Sequence, residues 1–139
     1  MKKQLFVLLG LGLMLSSALV QAQTMAMKAN VPFNFIVSGK ALPAGEYTVT
    51  TLYAGQVLLV QGSGTDAASA VSTNRCESLK ASDSSKLIFR RHGDRYFLAE
   101  VWSVGNTDGR EIPKTRQEKE TELATNHSVQ QVPVLAELR

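Results

Sequence analysis

Two histidines, one cysteine and a cluster of arginines are the residues of this chain best suited to chemistry. His92 and Asp94 flank Gly93, His127 stands alone near the C-terminus, and Cys76 is the single cysteine. A transition-metal site needs pairs such as His-x-x-x-His or Cys-x-x-Cys, so that one turn or helix face aims two ligands at one ion. His92, His127, Asp94 and Cys76 lack that spacing, and no metal or other cofactor is expected. Nucleophilic catalysis has no better footing. There is no Gly-x-Ser-x-Gly elbow, and Ser63 between Gly62 and Gly64 is turn spelling. A phosphate loop and a dinucleotide fingerprint are missing as well. No catalytic residue is assigned, and the chain reads as non-enzymatic.

The sharpest charge feature is Arg90, Arg91, His92 and Arg95, with Tyr96 and Phe97 beside it. Clustered cations next to aromatic rings suit a phosphate-rich polymer or an anionic envelope glycan. A solvated hairpin tip that resists edge pairing is the plainer alternative. Glu100 is the odd residue, since alternation places it between Leu98 and Trp102 on one apolar face. A buried carboxylate must find a partner or take up a proton. It is expected either to pair with an arginine at the sheet end or to anchor a ligand in an apolar cavity. The expected contacts for a ligand or partner are therefore Arg90, Arg91, Arg95, Tyr96, Glu100 and Trp102. Cys76, in the polar stretch Asn74-Arg75-Cys76-Glu77, is expected to be a free, partly buried thiol. An intermolecular crosslink and a catalytic thiol are the alternatives; Arg75 would favour the thiolate and Glu77 oppose it.

These residues depend on strands to position them. Lys86–His92 and Arg95–Ser103 flank Gly93-Asp94, a two-residue loop suited to a type II′ turn. That register pairs His92 with Arg95 and Arg91 with Tyr96, and carried outward it sets Glu100 opposite Leu87. Both hairpin faces are largely apolar, which places the hairpin in the middle of the fold. Upstream, Val31, Phe33, Phe35 and Val37 alternate with Pro32 and Asn34 as one strand that begins at Pro32 or lies at an edge. Residues 23–29 read as a loose lead-in. Leu42-Pro43-Ala44-Gly45 is turn chemistry, returning the chain as a strand with Tyr47 and Val49 on one face. Ala54-Gly55 turns it again into Gln56–Gln61. Ala67–Thr73 is a weak strand of small residues, and Gly105–Gly109 is a loop. Thr115-x-x-Glu118 is a capping box, opening a short helix to about Thr125 that is expected to rest on the sheet through Leu123 and Ala124. Val132, Val134, Ala136 and Leu138 suggest a closing strand.

The ordered set VPFNF (Val31–Phe35), LPAGEYTV (Leu42–Val49), KLIFRRHGDRYFLAEVW (Lys86–Trp102) and the Thr-x-x-Glu helix start is similar to a family of small exported proteins of soil bacteria. The resemblance covers most of the chain after residue 29. It implies export and a mostly β domain, and it implies no reaction. LPAGEYTV also resembles the Leu-Pro-x-Gly-x-Tyr turn of transthyretin-like β-sandwich modules, where that turn comes late in the domain rather than early.

The N-terminus carries the localisation signal. Met1-Lys2-Lys3 is a basic start, residues 5–20 form an uncharged apolar run of 16, and Val20-Gln21-Ala22 fits a cleavage site. The run is shorter than the ~20 residues of a spanning helix, and no later segment approaches that length. Residues 1–22 are expected to be a signal peptide and residues 23–139 one exported domain, periplasmic or extracellular. Losing 22 of 139 residues leaves 117, enough to bury a core. Loss of Lys2 and Lys3 lowers the formal charge from +3 to +1, which gives no argument for nucleic acid. A single cysteine allows no internal disulfide, so the core must supply the stability. The expected fold is mainly β, an antiparallel β-sandwich or flattened barrel of about six to eight strands with one short helix near the C-terminus. The expected function is non-catalytic binding of an envelope, matrix or protein partner. A carrier of a small apolar ligand between the sheets, held near Glu100, Trp102 and Tyr96, is the alternative.

Overall fold

The computed structural model describes residues 25–126 and 128–138; the expected signal peptide and His127 lie outside the described residues. The strands are β1 (Ala26–Val31), β2 (Phe35–Val37), β3 (Lys40–Leu42), β4 (Gly45–Leu52), β5 (Val57–Gly62), β6 (Ala68–Ser72), β7 (Asn74–Glu77), β8 (Lys86–His92), β9 (Arg95–Trp102) and β10 (Asp108–Glu111). Helix α1 (Arg116–Ala124) and strand β11 (Gln130–Leu138) follow. Among the described residues no helix is long and apolar enough to cross a membrane.

Hydrogen-bonded neighbours run β3-β2-β9-β8-β11-β1-β4-β5-β6. β10 pairs with both β9 and β7, and β7 continues β6 through the single residue Thr73. The result is a nearly closed, flattened barrel, as the alternating pattern predicts. At one end the ring is joined by the β7–β10–β9 ladder. At the other, the β2–β3 hairpin is stapled to β6 by side chains. Lys40 Nζ donates to the Ala68 carbonyl at 2.7 Å and Ser69 Oγ to the Val37 carbonyl at 3.4 Å. β7 and β10 were not legible as strands, because both are polar and pair through their backbones and an Arg75–Asp108 ion pair rather than an apolar face. The loop expected over Gly105–Gly109 ends earlier, at Thr107.

The lead-in expected over residues 23–29 is in fact the start of β1, with Met27 and Ala29 buried against β4. VPFNF is not one strand. Val31 ends β1, Pro32 to Asn34 cross over, and Phe35 opens β2, which pairs with β9 rather than with a neighbour of β1. Pro32 has no N–H to continue the ladder, so the chain leaves its partner there. The inward positions were read correctly: Val31 and Phe35 are buried, and Phe33 packs against the core. Two hydrogen bonds tie this crossing to LPAGEYTV. The Ala44 amide donates to Asn34 Oδ1 at 2.9 Å, and the Tyr47 hydroxyl donates to the Pro43 carbonyl at 2.5 Å. A tyrosine bonding back to the backbone just upstream is a corner device of β-sandwiches, and burial pushes the Tyr47 hydroxyl pKa up. Pro133 is tolerated inside β11 because β1 pairs only with Leu138, Glu137 and Ala136, leaving β8 as the sole neighbour at Pro133.

The β8–β9 hairpin turns at Gly93 with φ +61°, as a II′ turn requires. Its register begins as expected and then shifts. Phe89 pairs with Leu98, but Ile88 pairs with Glu100, so Ala99 is an extra residue in β9. The expectation that Glu100 faces Leu87 is thereby overturned, since a bulge reverses which face each later side chain takes. Leu87, Phe89, Leu98 and Val101 point into the barrel, with Tyr47, Met27 and Leu58 from the opposite wall. Phe89 meets the ring edges of Phe33 and Phe35, with centroids 4.9 and 5.3 Å away.

Candidate functional site

The basic cluster does not stand together at a solvated tip. Successive residues of a strand face opposite ways, so Arg90 and His92 share the outer face of β8 while Arg91 takes the other. Helix α1 covers that outer face. Arg90 is 8% exposed, His92 1% and Glu118 2%, and all three meet beneath the helix. Arg90 donates to both oxygens of Glu118, from Nε at 2.6 Å and Nη2 at 3.1 Å, and Nη2 also reaches the Ile112 carbonyl at 3.1 Å. His92 Nε2 lies 3.1 Å from Glu118 Oε1. A carboxylate only accepts, so Nε2 carries the proton on this contact, and Nδ1 has no hydrogen-bond partner among the described residues.

Helix α1 starts where the sequence places it, with Thr115 Oγ1 accepting from the Glu118 amide at 3.2 Å. The Glu118 carboxylate does not close the capping box; it turns into the sheet instead. Nor does the helix dock through apolar contact. Leu123 is 64% exposed and Glu118 is the buried residue of α1. Arg116 and Glu120 form an i,i+4 pair at 3.1 Å on the solvent side.

The other expected contacts are dispersed. Arg95 is exposed. Arg91 donates from Nε to the Gly93 carbonyl at 2.8 Å, with its guanidinium carbon 5.5 Å from the centre of the Tyr96 ring. Tyr96 is stacked on Phe33 at 3.8 Å between centroids. Glu100 and Trp102 do come together, on the outer face of β9, where the indole N–H donates to Glu100 Oε2 at 2.7 Å. They line an external cleft of about 270 Å3 with Lys86 and Asp83. Glu100 thus finds an indole rather than an arginine, and it is half-buried at the surface rather than inside a cavity between sheets.

Cys76 is a free, half-buried thiol on β7. Burial raises its pKa, and the charges of Glu100 and Glu111 raise it further, outweighing the Gly109 backbone and Arg110, which lower it. The neighbours expected from sequence, Arg75 and Glu77, are not the ones that act. A raised pKa leaves little thiolate at neutral pH. Iodoacetamide alkylation of the folded protein at pH 7 is expected to run about tenfold slower than that of a free cysteine peptide, and to accelerate only above the ordinary thiol range. Equal rates for the folded protein and the peptide would contradict this placement.

A larger recess lies elsewhere, at one mouth of the barrel, with a volume of about 500 Å3. Met25 at the start of β1, Thr51 near the end of β4, the β4–β5 turn, Asn106, Asp108 and Arg110 surround it. In that turn Tyr53, Ala54 and Gly55 are all left-handed, with φ of 51°, 56° and 86°. For Tyr53 and Ala54 this costs roughly 1–2 kcal/mol each. Two side chains hold the turn. Arg110 Nη2 donates to the Ala54 carbonyl at 2.9 Å and Thr73 Oγ1 to the Gly55 carbonyl at 2.7 Å. Glycine suits position 55, because its φ of 86° is one that residues with a Cβ rarely adopt. Tyr53 consequently stands 77% exposed at the rim.

Sequence reasoning missed Tyr53 and Arg110. A tyrosine directly before a turn-forming Ala-Gly was the available signal, because a hairpin tip offers it little to be buried against. Among the described residues no group of three His, Cys, Asp or Glu is placed to hold a metal ion. No family model, curated protein or solved structure matches the chain.

Proposed function

We propose that the chain is a non-catalytic exported β-domain that binds an envelope, matrix or protein partner through its surface. The observation that carries this reading is the filled barrel interior. Tyr47, Phe35, Phe89, Met27, Leu58 and Leu98 interlock there, each 2% exposed or less. The recesses described above lie at a mouth and on the outside. Glu100, Trp102 and Tyr96, around which an apolar ligand was expected, do not share a cavity. His92 does meet a carboxylate, as an acid–base pair would. Both oxygens of that carboxylate are already taken by Arg90, and the imidazole is enclosed, so the group serves to hold the helix. Export is read from the basic start and apolar run of residues 1–22.

Two measurements test the reading together. Native mass spectrometry of the protein isolated from its source is expected to give the bare polypeptide mass. Cosedimentation with isolated cell-wall sacculi and envelope vesicles is expected to saturate. A stoichiometric apolar adduct would favour the carrier instead, and loss of sedimentation with every envelope fraction would remove the binding role.

A further inference from the structure

We propose that the mouth recess is a saccharide site, taking a neutral oligosaccharide with one sugar ring laid on Tyr53; the inference rests on the binding-domain reading above. A pyranose ring has a face of C–H groups and an edge of hydroxyls that both donate and accept. The recess offers a match for each. The Tyr53 ring is presented nearly bare, and an aromatic face, negative at its centre, attracts the weakly positive C–H groups of the sugar face. Met25 and Val101 supply further apolar lining. Asn106, Asp108 and Arg110 bring planar amide, carboxylate and guanidinium groups, whose fixed donor and acceptor directions suit neighbouring hydroxyls.

Charge selects against the other ligand classes. Arg110 and Asp108 are the ionic side chains lining the recess, and the Arg75 that bridges Asp108 at 3.6 Å is itself paired with Glu77, so the local charges balance and leave no strong field to gather a phosphate or a polyanion. Thr51, Ser103, Asn106, Asp108 and Arg110 make the wall too polar for a purely apolar guest. The volume of about 500 Å3 falls in the ~300–1,000 Å3 range of small-molecule sites. Preorganisation is the second argument. The strained turn is held by Arg110 and Thr73, and its product is an exposed ring. A turn backbone already held in place loses little entropy on binding, and backbone strain of this kind concentrates at ligand sites.

Amide NMR titration of the exported chain with cellotetraose and chitotetraose, two neutral probes, tests the assignment. At least one probe is expected to shift the amides of residues 51–55 and 101–110. Tyr53→Phe is expected to keep the affinity, and Tyr53→Ala to weaken it about tenfold while its spectrum stays dispersed. No shift with either sugar up to about 10 mM, shifts confined to another surface, or unchanged affinity in Tyr53→Ala would each overturn the site. Envelope cosedimentation run alongside separates the two readings. A protein that sediments yet ignores both sugars sinks the saccharide assignment alone, whereas one that does neither sinks both.

Discussion

Glu118→Ala is expected to destabilise the protein by about 3–5 kcal/mol, the usual consequence of removing one partner from a buried ion pair. The substitution leaves the Arg90 guanidinium under helix α1 with only the Ile112 carbonyl, and strips His92 Nε2 of its acceptor. A cation cannot stay there without a counter-charge. Since α1 has Glu118 as its buried residue and Leu123 exposed, the cheapest relief is for the helix to lift and let water reach Arg90. Amide hydrogen exchange should therefore show α1 losing protection at denaturant concentrations where the barrel strands remain protected. Urea unfolding should show a lowered midpoint. Glu118→Gln keeps the shape but not the charge, and is expected to lie between the wild type and Glu118→Ala. The double variant Arg90→Met with Glu118→Leu is expected to regain most of the loss, because an apolar pair of similar size needs no counter-charge. A Glu118→Ala protein with wild-type stability and a protected helix would show that α1 docks by some other means.

Phe89→Ala is expected to cost about 3–5 kcal/mol, the range for deleting a buried aromatic ring. Domains of this size are stable by only about 5–15 kcal/mol, so the loss takes from about a fifth of the total to nearly all of it. Phe89 is fully buried and is met edge-on by Phe33 and Phe35. Its removal opens a void and deprives both rings of their contact surface. Phe33 is also the ring on which Tyr96 stacks, so the disturbance should spread to the far end of the β8–β9 hairpin. Phe89→Leu fills most of the volume and is expected to lose less than about 1.5 kcal/mol beyond the transfer difference. Chemical denaturation measures both, with the slope unchanged if the unfolded ensemble is unaltered. Equal losses for alanine and leucine would mean that shape at this position matters less than the ring contacts indicate.

Much of the barrel was legible because apolar alternation along a strand reports directly which face is buried. Tyr47, Val49, Leu87 and Phe89 were placed by period alone, and Gly93 by the φ that a II′ turn demands. β7 and β10 were not, since strands held by backbone pairing need no apolar side chains. The bulge at Ala99 was equally hidden. An extra residue changes no composition, yet it turns Glu100 from the expected interior to the outer face beside Trp102. The basic cluster was read as one patch because the hairpin folds its residues together. A period of two sends close neighbours to opposite faces, and Arg90 and Arg91 were parted in that way.

Local chemistry settled what each short segment must do. It set the strand faces, the Pro43 and Gly45 corner after VPFNF, the start of the helix at Thr115 and the mainly β class. These depend on backbone geometry and side-chain period, which a segment carries within itself. Tertiary structure alone decided who meets whom. It brought Glu118 to Arg90 from 28 residues away along the chain, and it set Arg110 against the Ala54 carbonyl across 56. Burial of an ion pair and restraint of a strained turn depend on the partner's position in space, and no local pattern encodes that distance. The latch beneath the helix and the open mouth with Tyr53 at its rim exist only once the barrel has closed.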